Sequence, residues 1–242
     1  MRIPRIYNKA LSHEKNNLML DAELSHYLGR VLRMKAGQQL YMFDGQGYEV
    51  LAEIEEFETK SCVRVAVVDV VENDKESPIY IHLGQSISKG DRMEFTIQKS
   101  VELGISEITP IFAERSEVKL KGERLQKKVD HWQSIAASAC EQCGRSVVPK
   151  VNPPVSLEQW LRLRQEPVRI TLHHRATADL RTLEKPLTAA LLIGPEGGLS
   201  ETEIKISEES GFKSITIGPR VLRTETASLT VLSLMQYQWG DL

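Results

Sequence analysis

A chain of 242 residues with 41% hydrophobic and 26% charged side chains is long enough for one large or two modest domains with real cores. A formal net charge of −2 excludes a protein that holds nucleic acid by bulk charge alone. Three cysteines make no disulfide framework, and no apolar run reaches the roughly 20 residues of a membrane helix. Met1-Arg2-Ile3-Pro4-Arg5 is not followed by the apolar region of a signal peptide, so the expected location is cytoplasmic.

Residues 1–72 read as a small, mostly β module. From Glu23 to Met34 the apolar residues Leu24, Leu28, Val31 and Leu32 make a helical stripe, with Arg30 and Arg33 on another face. After Gly37 the chain alternates through Leu40 and Met42, turns at Asp44-Gly45, and alternates again through Val50, Ala52 and Ile54. Cys62 to Val68 is a further strand. The charge is uneven: residues 1–35 carry seven basic groups against three acidic, and residues 115–128 six against two. Such runs suit a confined RNA footprint or a merely solvated face.

Residues 73–78, polar and ending in Pro78, read as a linker into a second domain. Ile79, Ile81 and Leu83 alternate as its first strand. Asp91 with Glu94 offers a capping box for a helix that buries Met93, Ile97 and Val101 and closes at Gly104. Ile108 to Phe112 is the next strand. A long helix follows from Arg124 to Cys143, with a seam of Leu125, Val129, Trp132, Ala136, Ala139 and Cys143. Cys140 and Cys143 form a C-x-x-C, but no second pair of ligands accompanies it, so packing is favoured over zinc or redox chemistry. A short helix is expected around Leu157, Trp160 and Leu161. Val168 to Leu172 is a strand ending at His173-His174, and adjacent histidines on a strand face opposite ways, which argues against a shared metal.

The most informative stretch runs from Leu191 to Ala227. Ala190-Leu191-Leu192-Ile193 is a buried strand that stops at Gly194-Pro195-Glu196-Gly197-Gly198-Leu199, where a backbone can turn sharply and offer main-chain groups to a ligand. Ser200 and Glu203 form a capping box for a helix ending near Gly211. Ile215-Thr216-Ile217 is a second strand, broken by Gly218-Pro219. Both loops sit at strand carboxyl ends, where open α/β sheets bind ligands. Ordinary tight turns remain the alternative. No Lys-Ser/Thr pair follows the glycines, which argues against a phosphate loop, and no G-x-G-x-x-G run supports a dinucleotide fold. Uncharged, main-chain-rich loops suit a flat base with an amino-acid-like tail.

Ile193-Gly194-Pro195-Glu196-Gly197-Gly198-Leu199-Ser200 followed by Ile217-Gly218-Pro219-Arg220-Val221-Leu222-Arg223-Thr224-Glu225-Thr226-Ala227 resembles the RsmE family of SPOUT methyltransferases. Gln98 to Gly104 and Glu141 to Ser146 are similar to the same family. The resemblance implies a SPOUT-type α/β domain with a deep C-terminal trefoil knot over residues 73–242, preceded by a small PUA-like β-barrel domain over residues 1–72 that grips RNA. It implies methylation of N3 of a uridine in 16S ribosomal RNA with S-adenosylmethionine (SAM). The cofactor would lie against Leu172, His173, Ile193, Gly194, Pro195, Glu196, Gly197, Gly198, Ile217, Gly218, Leu222, Arg223, Thr226 and Ala227. RNA would meet Arg2, Arg5, Arg30, Arg33, Arg115 and Lys119. Partners would be the small ribosomal subunit and a second copy of the chain in a homodimer, with neither membrane nor metal. The alternative is a non-catalytic RNA-binding protein that kept the fold.

N3 of uracil is a weakly acidic imide that must shed its proton near the transition state. A base, or a cation beside O2 or O4, lowers that barrier. The expected candidates are Arg223, then Arg115 and Arg145, with Glu225 or Glu196 as proton acceptor. For both glutamates, bracing of the loop through main-chain N–H groups is the competing role.

Overall fold

The computed structural model describes residues 3–14, 16–59, 62–116, 121–173, 176 and 178–242. The chain divides into two compact units, Met1–Glu76 with Cys140–Val148, and Ser77–Ala139 with Pro149–Leu242.

The first unit is built on five strands: β1 (Arg5–Tyr7), β2 (Asn17–Leu20), β3 (Gln39–Phe43), β4 (Glu49–Thr59) and β5 (Cys62–Val71), ordered β1-β3-β4-β5-β2. β1 runs parallel to β3 and the remaining pairs are antiparallel. The period-2 alternation of β3 and β4 puts Leu40, Met42, Val50, Ala52 and Ile54 on one buried face with Val63 and Val65. Between β2 and β3 lies α1 (Ala22–His26), whose N-cap Asp21 accepts from Leu24 N.

The helix expected through Met34 departs from its predicted face. From Tyr27 to Val31 the backbone is π-helical, with Leu32 N donating to Tyr27 O at 3.0 Å. The wider turn keeps Leu28 inside but swings Val31 out, where it is 59% exposed.

The second unit carries a parallel sheet of β6 (Tyr80–Ser86), β7 (Glu107–Phe112), β8 (Lys150–Val151), β10 (Val168–Leu172), β11 (Thr188–Ile193) and β12 (Lys213–Ile215). Its order is β12-β10-β11-β6-β7-β8, with β9 (Val155–Ser156) also pairing with β7. Helices α2 (Arg92–Glu102), α4 (Leu157–Arg162), α5 (Glu201–Glu209) and α6 (Thr224–Trp239) connect or follow these strands. Burial on both faces explains the near-continuous apolar runs: in β11 every residue from Ala189 to Ile193 is buried. The strand expected at Ile215-Thr216-Ile217 ends at Ile215, and the next two residues leave the sheet.

The capping box expected at Asp91 does not form. Asp91 already has helical angles (φ −79°, ψ −3°), whereas a capping residue must be extended. Glu94 turns instead to Lys128 at 2.6 Å and His131 at 3.2 Å. Both partners lie on α3 (Gly122–Cys143). In the last turn of α3 it is Cys140 that is fully buried, its Sγ 3.5 Å from Val147 O, and burial pushes its thiol up to about 12. A thiol so protonated is a packing element. The presumed linker is also ordered: Asn73 Nδ2 donates to Glu49 and to Gly144 O, and Glu76 pairs with Arg145.

A buried polar cluster joins β6 and β7. His82 Nε2 lies 2.7 Å from Thr109 Oγ1, and Nδ1 lies 3.3 Å from Glu107 and against Arg164. Burial, opposed by the charge of Glu107 and helped by that of Arg164, lowers the imidazole from its usual 6.5 to about 4. Between those values the unfolded chain takes up a proton that the folded chain refuses. Stability is therefore full above about pH 6.5 and falls as pH drops towards 4. Urea unfolding across that window should show a shallower loss for His82→Gln than for the unaltered chain; parallel curves would contradict the assignment.

Candidate active site

The loops at the carboxyl ends of β10, β11 and β12 enclose a cavity of about 220 Å³. Its wall begins at Leu172 and His173, where β10 ends, and continues through Ile193 to Glu196 and on to Gly198 and Leu199. Ile215 to Leu222, Thr224 and Ala227 complete it. Its place at the carboxyl edge of a parallel sheet is where α/β folds bind ligands.

Local chemistry shapes each wall. After Ile193 the chain turns, with Gly198 N donating to Pro195 O at 2.9 Å. Gly198 has φ +69°, a conformation that costs other residues roughly 1–2 kcal/mol. Gly194 is needed for closeness: a Cβ there would lie 3.0 Å from both the N and the Cγ of Leu199. The capping box at α5 forms as the sequence indicates, Ser200 Oγ accepting from Glu203 N at 3.2 Å and Glu203 Oε2 from Ser200 N at 2.9 Å. The other oxygen of Glu203 accepts from Glu114 N at 2.7 Å, tying the loop after β7 to the same corner. Thr224, the first residue of α6, donates its hydroxyl to Gly194 O at 2.8 Å.

Most of the residues named above for the cofactor line this cavity, whereas Gly197, Arg223 and Thr226 do not. Gly197 lies on the outer side of its loop, where its carbonyl accepts from Arg115 Nη1 at 2.9 Å. Arg223 is the exposed N-cap residue of α6 and makes no side-chain cap. Thr226 is exposed on the first turn. Sequence reasoning missed Leu199, Ile215, Thr216, Pro219, Arg220, Val221 and Thr224, all of which line the cavity. They neighbour recognised residues, so a contiguous reading of both loops would have found them.

The two glutamates have different surroundings. Glu196 accepts from Lys89 N at 3.2 Å and from Arg92 Nη1 at 2.9 Å. Burial alone would raise its carboxyl, but these hydrogen bonds, one from its own main chain and the Arg92 charge hold it below the usual range. This is the bracing arrangement. Glu225 is half-buried, and its Oε2 is enclosed without a hydrogen bond from any described residue.

The predicted RNA-facing arginines separate. Arg2 and Lys119, like His174, lie outside the described residues. Arg30 and Arg33 are exposed, Arg33 with an unusual φ of +53°. Arg5 is placed otherwise than expected: its guanidinium is buried. It donates to Glu49 Oε1 at 3.0 Å and Oε2 at 2.8 Å, and to Cys140 O at 2.8 Å. With its donors spent internally, it braces the first unit and has none to offer RNA. Arg145, expected among the catalytic cations, is likewise buried and forked onto Glu76 within the first unit, and does not line the cavity.

Comparison with known proteins agrees with this geometry. Residues 75–236 match the family model described as an RNA methyltransferase domain, and residues 20–65 one described as an RNA methyltransferase PUA domain. The chain is 40% identical to Ribosomal RNA small subunit methyltransferase E of Buchnera aphidicola subsp. Schizaphis graminum, over 100% of this chain and 98% of that protein. Identity to the Bacillus subtilis protein of the same name is 32%, over 93% and 91%. The solved structure of the Neisseria gonorrhoeae protein of that name, bound to S-adenosyl methionine, superposes with a TM-score of 0.93 at 35% identity over the whole of both chains. A Legionella pneumophila structure in complex with the cofactor SAM gives 0.95 at 44%, also over both whole chains. The two-unit architecture, the glycine-lined cavity and these full-length similarities together place the chain in the ribosomal RNA small subunit methyltransferase E family.

Proposed function

We propose that this chain is a SAM-dependent methyltransferase acting on N3 of a uridine in 16S ribosomal RNA. The observation that carries the reading is the cavity between the Gly194–Leu199 and Thr216–Leu222 loops, in a chain whose full-length relatives bear the methyltransferase name.

The residues present fit the cofactor. The wall offers main-chain N–H and C=O groups beside apolar Leu199, Ile215, Ile217 and Leu222, which suits a heterocyclic base and a polar tail. Gly198 and Gly218 have no described protein atom within 4 Å of where a Cβ would stand, so side chains there would project into open space. When bound, SAM supplies a methyl group already activated for transfer, which leaves alignment and proton removal to the protein.

Leu172, Ile193 and Ala227 form the floor and exclude water, and the braced Glu196 fixes the loop. Glu225, whose Oε2 accepts a hydrogen bond from no described residue, is the residue proposed to take the N3 proton; Arg223, two residues earlier, offers its charge to the imidate oxygen. Arg115 is positioned beside the same loop through Gly197 O. Because N3 lies on the Watson–Crick edge, the target base must be unpaired or flipped out.

The proposal extends to four further points. The carboxyl-terminal part of residues 73–242 forms a deep trefoil knot. The domain of residues 1–72 grips RNA, with Arg30 and Arg33 as exposed contacts. The chain works as a homodimer, a reading supported by Phe95 on α2 and by Leu234 and Tyr237 on α6, all exposed. It acts in the cytoplasm; no helix among the described residues is long and apolar enough to cross a membrane.

Small subunits from cells lacking this protein, incubated with the purified chain and isotope-labelled SAM, should acquire one labelled N3-methyluridine on nucleoside mass spectrometry. Label on another base or atom, or none with intact subunits, would overturn the assignment.

A further inference from the structure

Among the polar residues of the apolar strand β6 is one that the cofactor loops do not contain. Gln85 is fully buried and lies at the last register pair of β6 with β11, opposite Ile193. Gly194, one residue further, has left the ladder, so its carbonyl needs a partner outside the sheet.

Thr224 supplies it, at the end of a chain of four hydrogen bonds. Thr224 Oγ1 donates to Gly194 O at 2.8 Å. That spends the hydroxyl's one hydrogen, so the 2.9 Å contact with Gln85 Nε2 must run from the amide to the hydroxyl oxygen. Gln85 Nε2 also donates to Ser86 O at 3.1 Å, and a carbonyl can only accept. The amide therefore has one possible orientation, nitrogen towards Thr224 and oxygen towards Ser228, whose hydroxyl lies against it. Ser228 is fully buried and Thr224 nearly so, which shields the chain of bonds from competing water.

We infer that Gln85, through Thr224, is a positioning residue that sets the Gly194 carbonyl and so locks the two cofactor loops to each other. The inference rests on the proposed SAM site. Its elements are the end of β6, the loop after β11 and the first residue of α6, which the sequence separates by more than a hundred positions between Gln85 and Thr224. Gly194 and Thr224 both line the cavity, whereas Gln85 stands behind them. Gln85 thus acts on the ligand only through the geometry it imposes. One lone pair of Gly194 O is taken by Thr224, and the direction of the other, available to a ligand donor, is fixed with it.

The test is calorimetric titration of SAM into the full-length chain and three variants, with thermal melts alongside. Gln85→Met and Thr224→Val each break the relay and should weaken binding roughly ten- to hundredfold. Thr224→Ser keeps the hydroxyl and should bind within about threefold of the unaltered chain. The double variant Gln85→Met/Thr224→Val should be no weaker than the poorer single one, because one relay cannot be broken twice. Unaltered affinity in Thr224→Val, full additivity in the double variant, or failure of Thr224→Ser to retain binding would each overturn the relay while leaving the SAM site standing. Absence of SAM binding by the unaltered chain would overturn the proposed function, and the relay with it.

Discussion

Gly194→Ala should weaken SAM binding at least tenfold while the chain still folds. The new Cβ would come to 3.0 Å from Leu199 N and from Leu199 Cγ, and to 3.5 Å from the Gly198 carbonyl carbon. Two of these three atoms are main chain and cannot rotate away. Leu199 is itself buried, and Ser200 next to it is fixed by the reciprocal cap with Glu203. Overpacking of this kind costs roughly 1–3 kcal/mol, and here the strain falls on the cavity wall. Affinity measured by calorimetry should fall at least tenfold, with the melting transition still cooperative. Gly198→Ala makes a useful contrast, because its Cβ meets no described atom within 4 Å and its cost comes from φ +69° alone. A dissociation constant for Gly194→Ala within twofold of the unaltered chain would mean the loop does not line the ligand.

Arg5→Ala should destabilise the first unit by about 3–5 kcal/mol, the range for breaking a buried ion pair from one side. The guanidinium and carboxylate side chains are only 8% and 4% exposed, so Glu49 would be left charged and enclosed. Asn73 still donates to Glu49, which softens the loss without replacing the charge. The Cys140 carbonyl would also lose its donor, and Phe43 the guanidinium stacked 4.7 Å from its ring centre. Arg5→Lys should rescue poorly, since an ammonium cannot fork onto both oxygens of Glu49 while reaching that carbonyl. Urea unfolding followed by a probe in the first unit decides the matter. A change below about 1 kcal/mol accompanied by weaker RNA binding would restore Arg5 to the surface role its sequence suggested.

These two residues mark what the sequence could and could not disclose. Gly194 was legible because its reason is local: an apolar run, a break, and a capping box within ten positions dictate a strand, a loop and a helix. The strand ending at Ile193 was legible for the same cause, being a continuous apolar run from Ala189. Arg5 was not, because its partner Glu49 is 44 residues away and a basic residue near a chain start looks like surface. Arg145 misled in the same way, its partner Glu76 lying 69 residues back. Val31 fitted a helical stripe that a π turn then displaced, and no spacing rule signals such a turn in advance. Asp91 and Glu94 had the right spacing for a cap, yet Lys128 and His131 from a distant helix competed for the carboxylate and won. Gln85 gave a faint signal, a polar side chain amid a buried strand, without naming the hydroxyls that would satisfy it.

The most direct test of the account is a crystal structure of this chain grown with SAM. The ligand should lie between the Gly194–Leu199 turn and the Thr216–Leu222 segment, resting on Leu172, Ile193 and Ala227. Density for SAM anywhere else on the chain, with that cavity filled by solvent, would contradict it.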